Sequence, residues 1–231
     1  MTRWLVWLRP VALALAIGGI VFLAISGPFV RSDLWSYRSG FLAMRWSAFL
    51  GIAAIVASIV VLAVRGVRVR GLGVPLVALV FGVIAFYVPY QLQARGRAVP
   101  PINDISTDTA NPPKYMTTSR AYPGDGFARQ QREAYPDIGP VNVPLKPSEA
   151  FARAVAAAES MGWEVVGRDA AAGTMEAVDT TKWFGFKDDI AVRVTPDGSG
   201  SRIDVRSKSR VGRSDLGMNA RRIRAYAERL K

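Results

Sequence analysis

Three long runs of the chain carry no charged residue: 10–30 between Arg9 and Arg31, 46–64 between Arg45 and Arg65, and 71–94 between Arg70 and Arg95. Each is close to the roughly 20 residues a helix needs to cross a hydrocarbon core. Val11–Ile25 and Ile52–Val64 lack the polar stripe that a helix on a water-soluble core presents. The pattern predicts three transmembrane helices, about 10–30, 46–64 and 71–92, within a membrane region 1–97. Trp4, Trp7, Trp35, Tyr37, Trp46, Tyr87 and Tyr90 stand where interfacial anchors belong. Pro75 and Pro89 fall at the two ends of the third run, where proline costs least, and Gly18, Gly19, Gly51 and Gly82 offer places for helices to approach closely.

Beyond 97 the pattern changes twice. Residues 98–120 contain prolines and small polar residues without apolar periodicity, which predicts an extended tether. The soluble domain is expected over 121–231. Its first part, 121–140, stays polar, with a turn at Gly124, Asp125 and Gly126, and 141–145 reads as a short edge strand. Phe151, Ala154, Val155 and Ala158 then share one helical face, opened by Ser148 as cap and closed by Gly162. Residues 163–168 with 173–178, and 189–195 with 202–209, read as two hairpins. A last helix follows with Leu216, Ala220, Ile223, Ala227 and Leu230 on one stripe and Ser214 or Asp215 as cap. The order β-α-β-β-β-β-α predicts an α+β domain, an antiparallel sheet packed by two helices.

In the last of these strands Ile203, Val205, Ser207, Ser209 and Val211 alternate with Arg202, Asp204, Arg206, Lys208 and Arg210, which gives one apolar or small face and one charged face. The run Val205, Arg206, Ser207, Ser209, Arg210, Val211, Gly212, Ser214, Asp215, Gly217 and Asn219 resembles the C-terminal signature of the domain-of-unknown-function 1499 family, V-R-S-x-S-R-V-G-x-S-D-x-G-x-N ahead of a basic helix. Pro100, Pro101, Ile102, Asp104, Ile105, Thr107 and Asp108 resemble the P-P-I-x-D-I-x-T-D run that leads into the domain in membrane-anchored members. Where many members carry P-N-C-V-S-S, this chain has Pro113, Lys114, Tyr115, Met116, Thr117 and Thr118, so any role tied to that cysteine is absent. The resemblance implies no known reaction.

Charge supports the membrane reading. The formal +12 would suggest a nucleic-acid partner if read without position. Residues 1–97, however, hold ten arginines against the single acid Asp33, all flanking apolar runs, whereas 98–231 hold twenty basic against seventeen acidic residues. A lipid bilayer, not nucleic acid, is therefore the expected partner. Arginines are equal in number on the two sides of the predicted spans. Arg65, Arg68 and Arg70 crowd one short loop, and with the first flank they favour a cytoplasmic N-terminus and a periplasmic C-terminal domain on an inner membrane. A signal peptide ending near Ala24 and Ser26 is the alternative for the first run and leaves the C-terminal side unchanged.

Cysteine and histidine are both absent, which removes thiolate, Cys/His metal and imidazole chemistry. No cofactor, metal site or catalytic residue is assigned. Three constellations remain. Arg206, Arg210, Gly212, Arg213, Ser214 and Asp215 form a turn able to hold a phosphate, a carboxylate or a lipid headgroup, or else a purely structural corner. Trp183, Phe184 and Phe186 form an aromatic loop suited to a bilayer, an apolar ligand or the core. Asp188 and Asp189 are adjacent carboxylates whose side chains alternate faces. The expected role is a non-enzymatic envelope module binding a partner protein or an amphiphilic or anionic ligand. The alternatives are a hydrolase or isomerase using Asp188, Asp189, Ser207, Ser209 and Asp215, or an assembly subunit of a membrane complex.

Overall fold

The computed structural model describes residues 7–64 and 71–231, so the sequence readings that rest on Arg3, Trp4, Arg65, Arg68 and Arg70 lie outside the described residues. The chain divides into two compact units: 1–94 with 182–185, and 95–181 with 186–231.

The first unit is built on helices α1 (Leu8–Ser26), a short turn α2 (Pro28–Arg31), α3 (Tyr37–Ala63) and α4 (Gly73–Arg97). Leu8–Arg31, Tyr37–Ala63 and Gly73–Arg97 are each long and apolar enough to cross a membrane. Their outward side chains are apolar too: Phe49, Val56, Ile59, Val80 and Val83 are exposed, which water would penalise and lipid would not. The interior is made of small residues. A Cβ added to Gly51 would sit 2.6 Å from the Gly82 carbonyl oxygen, and one on Gly19 2.9 Å from the Ala85 Cβ, so these glycines permit the close approach. Gly18 meets its nearest neighbour at an ordinary 3.5 Å.

Pro89 departs from the expected position. The third helix runs on to Arg97, leaving Pro89 inside it rather than at its end. Proline has no N–H, so the Ala85 carbonyl lacks its helical donor. The Ser47 hydroxyl of α3 fills the gap, donating to Ala85 O at 2.9 Å, which is why proline is tolerated there. The segment 182–185 packs within this unit: Arg31 Nη1 donates to the Lys182 carbonyl at 2.5 Å, and Phe184 lies 5.3 Å from Phe41, ring centre to ring centre.

The second unit is the α+β domain. Its elements are β1 (Asp104–Ser106), α5 (Asp125–Ala134), β2 (Val141–Val143), α6 (Pro147–Ser160), β3 (Glu164–Asp169), β4 (Thr174–Thr180), β5 (Lys187–Asp197), β6 (Gly200–Ser209) and α7 (Met218–Leu230). The sheet order is β1-β6-β5-β4-β3, with β2 also on β6, and every pairing is antiparallel. In register, Met175, Val192 and Val205 line up across one face. Helices α6 and α7 cover that face and bury Phe151, Ala154, Ile223 and Leu230 against it. Trp163 stacks on Tyr226 with ring centres 4.9 Å apart and planes inclined by 26 degrees, within the centre-to-centre range that aromatic pairs favour. The Tyr226 hydroxyl donates to Ala154 O at 2.8 Å, so this buried polar group is satisfied.

Two elements were not expected. Residues 98–120 are not an extended tether throughout: Asp104–Ser106 pairs with β6. Helix α5 arises within the stretch read as polar with a turn. The reason for both is a glutamine. Gln131, buried in α5, donates from Nε2 to Ser106 O at 2.6 Å and accepts from Ser106 N at 2.9 Å. A side-chain amide thus satisfies the outer edge of β1 as a neighbouring strand would. A polar residue at a core position is invisible to hydrophobic periodicity.

The last two helices also start differently. Lys146 rather than Ser148 is the N-cap of α6, with Pro147 following it, the position where proline is best tolerated. Helix α7 begins at Met218. Leu216 and Gly217 before it are both left-handed, with φ of 56 and 74 degrees, so Leu216 precedes the helical stripe instead of opening it.

Candidate functional site

Strand β6 and the turn after it carry most of the candidate residues. Its charged row is not an outward, solvated face. Arg206 is only 2 % exposed, because residues 107–122 return as a strap over that side of the sheet. Asp104 holds the Arg206 guanidinium in a fork, Nε to Oδ1 at 2.9 Å and Nη2 to Oδ2 at 2.8 Å, and also takes Lys208 Nζ at 2.9 Å. Such paired, charge-assisted bonds are the strong kind. The guanidinium carbon lies 4.9 Å from the Tyr115 ring centre and 5.4 Å from that of Tyr122, within cation–π range of both. Burial alone would lower the Arg206 pKa, but the hydrogen bonds and charge of Asp104 outweigh it and leave it raised. Burial, with Asp104 adding to it, pushes Tyr122 up to about 12 and Tyr115 upward as well.

The same face holds two further charge clusters. Arg193 and Arg202 share Asp108 and Asp204 at 2.9–3.2 Å. Arg210 binds Asp189 Oδ1 through Nε at 2.8 Å and Nη2 at 2.7 Å, and Arg120 lies 3.1 Å from Asp189 Oδ2. Glu176 accepts from Met116 N, Thr117 N and the Thr117 hydroxyl at 2.5–2.7 Å, which ties the strap to β4.

Asp188 points to the opposite face and meets α7. Arg222 binds Asp188 through Nη2 at 2.5 Å and Asp179 through Nε at 2.8 Å. Its Nη1 reaches the Ser207 hydroxyl and Asn219 Oδ1, while Ser207 donates to the same oxygen at 2.8 Å. Asn219 Nδ2 donates to Asn103 O and to the Ser209 hydroxyl at 3.0–3.1 Å. The fold therefore gathers Asp188, Ser207 and Ser209 into one buried network and sends Asp189 to the other side of the sheet. Asp215 caps the approach to α7, its carboxylate accepting from Gly217 N at 2.8 Å and Asn219 N at 2.6 Å, as a capping side chain does. Burial raises its pKa against the pull of those amides.

The 210–215 turn splits in the same way. Gly212, with φ of 86 degrees, supplies the left-handed corner, and its carbonyl accepts from Asn103 Nδ2. Glycine adopts that conformation without steric cost. Ser214 accepts from Leu216 N at 3.3 Å. Arg213 alone of the six turn candidates is exposed with no bonding partner among the described residues. It borders a groove of about 440 Å3 with Pro101, Ile102, Asn103, Phe127, Gln130 and Gly212.

In the aromatic loop, Trp183 Nε1 lies 3.4 Å from the Ser26 hydroxyl and its ring fills the space above Gly27, where a Cβ would collide with it. Phe184 meets Phe41. The Phe186 amide donates to Thr181 Oγ1 at 2.8 Å and closes the loop. The residues that sequence reasoning missed are Asp104, Asp108, Tyr115, Arg120, Tyr122, Glu176 and Arg222. The cross-strand match of Asp104 to the Arg206 and Lys208 row was the available signal for the first of them.

No curated protein matches the chain. The profile of a family described as "Protein of unknown function (DUF1499)" matches residues 104–230, from the first residue of β1 to the last of α7 and more than half of the chain. This chain belongs to the DUF1499 family.

Proposed function

We propose that this protein is a non-enzymatic module of the cell envelope. It is held in the inner membrane by its three apolar helices, with its α+β domain on the periplasmic side, and binds an amphiphilic anion or an acidic partner segment through the Arg213 groove. The observation that carries this reading is the contrast between Arg213 and every other candidate. Asp188, Asp189, Ser207, Ser209 and Asp215 are all buried and all spent on arginine, amide or hydroxyl partners. General acid-base or nucleophilic work needs such groups within reach of a substrate. Arg213 is a solvated cation beside the apolar surface of Pro101 and Phe127 and the amide of Gln130, a combination that suits an anion carrying an apolar part.

The test uses the full-length protein. A photo-crosslinker in place of Gln130 is activated in native membranes, and the purified protein in micelles is titrated with myristate. Arg213→Glu should abolish both the crosslink and the titration. If the wild-type protein yields neither, the reading fails. A C-terminal alkaline phosphatase fusion reports the side of the membrane, and an inactive fusion would reverse the orientation.

A further inference from the structure

The strap encloses a second groove, of about 590 Å3, open to solvent and separate from the Arg213 groove. Its lining runs over both sides of Met116 and includes Lys114, Thr118, Ser119, Arg120 and Tyr122, with the Arg206 guanidinium at its base. Among the described residues its lining carries the cations Lys114, Arg120 and Arg206 and no carboxylate. Among the described residues Glu176 is the carboxylate under the strap with no cation bound to it, and its oxygens already take three strap donors. Asp104 is shared by Arg206 and Lys208, and Asp189 by Arg120 and Arg210, so these two carboxylates answer four cations, and with Glu176 set against them one positive charge is left over before Lys114 is added. Lys114 and the hydroxyls of Thr118 and Ser119 have no bonding partner among the described residues.

We propose that this groove binds a phosphate group, with Lys114 and Arg120 supplying charge and Thr118 and Ser119 supplying hydroxyl donors. A phosphate presents several acceptor oxygens to donors converging from different directions, whereas a carboxylate presents two in one plane. Tyr115 and Tyr122 hold the Arg206 guanidinium between their rings, so the base of the site is rigid before a ligand arrives. The phosphate comes either from a lipid headgroup or from a soluble phosphate ester.

The experiment is calorimetric titration of the full-length protein in phosphate-free maltoside micelles. One arm uses glycerol 3-phosphate and the other uses micelles doped with phosphatidic acid. Binding of glycerol 3-phosphate assigns a soluble ester, and binding of phosphatidic acid alone assigns a headgroup. The double variant Lys114→Ala/Arg120→Ala should weaken binding about tenfold or more, as loss of charge-assisted hydrogen bonds does. Thr118→Ala/Ser119→Ala, which leaves every charge in place, should weaken it several-fold. In Arg213→Ala glycerol 3-phosphate should bind unchanged; phosphatidic acid, an amphiphilic anion that also suits the groove beside the turn, should still bind, and its complete loss in that variant would overturn the headgroup source. All these positions are on the surface, and thermal melting confirms that the variants fold. Failure of the wild-type protein to bind either probe, or unaltered affinity in either double variant, overturns the proposal.

Discussion

The Ser47 hydroxyl donates to the carbonyl of Ala85, the one carbonyl in α4 that Pro89 leaves without a helical amide. Ser47→Ala should therefore destabilise the helical unit by about 1 kcal/mol, the scale of a single interhelical hydrogen bond. Pro89→Ala restores an N–H to the same carbonyl, so in that background Ser47→Ala should cost less. A double-mutant cycle in mixed-micelle unfolding reads the coupling, and strictly additive effects would contradict the pairing.

Close approach between α3 and α4 predicts a sharp difference among glycines. Gly51→Ala should destabilise by about 1–3 kcal/mol, because its new methyl meets backbone that cannot yield. Gly18→Ala, with 3.5 Å of clearance, should be nearly neutral in the same assay.

The strap's central ion pair should be asymmetric. Asp104→Ala leaves Arg206 buried without its counter-charge and Lys208 without its partner, and should cost about 3–5 kcal/mol. Arg206→Met should cost less, since Lys208 still answers Asp104 and the aliphatic chain still packs between two tyrosine rings. Denaturant unfolding followed by tryptophan emission measures both, and equal losses would count against the account.

Asp215 makes stability depend on pH in an unusual direction for a carboxylate. Its folded pKa is raised by burial, so its contribution is fully present below the unfolded value of 3.8 and is lost as pH rises through the raised one. Asp137, lowered by its hydrogen bonds to Arg224, acts the other way, its contribution being lost as pH falls. Asp215→Asn should flatten the first component alone. It should also cost about 1 kcal/mol at neutral pH, because one amide oxygen replaces two acceptors for Gly217 N and Asn219 N. An unchanged pH profile in this variant would refute the assignment.

Elements carried by apolar periodicity were legible from the chain alone. The three spans, the face of α6 with Phe151 and Ala154, and both hairpins follow from spacing. What periodicity missed was built from polar groups. Strand β1 is fixed by Asp104 and Gln131, and α5 has few apolar residues to declare it. A charged row on a strand ordinarily implies a face in water. That inference fails when a second segment brings matching carboxylates and two tyrosines from a distant part of the chain. The Asp188/Asp189 alternation was readable because it needs only strand geometry, whereas the partner each acid finds depends on α7 and the strap.

In β6, one side of the strand faces the helices and the other faces the strap, so most positions from Ser201 to Ser209 meet other protein atoms whichever way they point. A strand enclosed on both sides restricts the amino acid at successive positions, not at every second one. The family-like run through the successive Val205, Arg206 and Ser207 is then an address in the fold: it says where this segment must dock. Lys114, Thr118, Ser119 and Arg213 are exposed and lie outside that enclosure, so the packing of the strand places no such restriction on them.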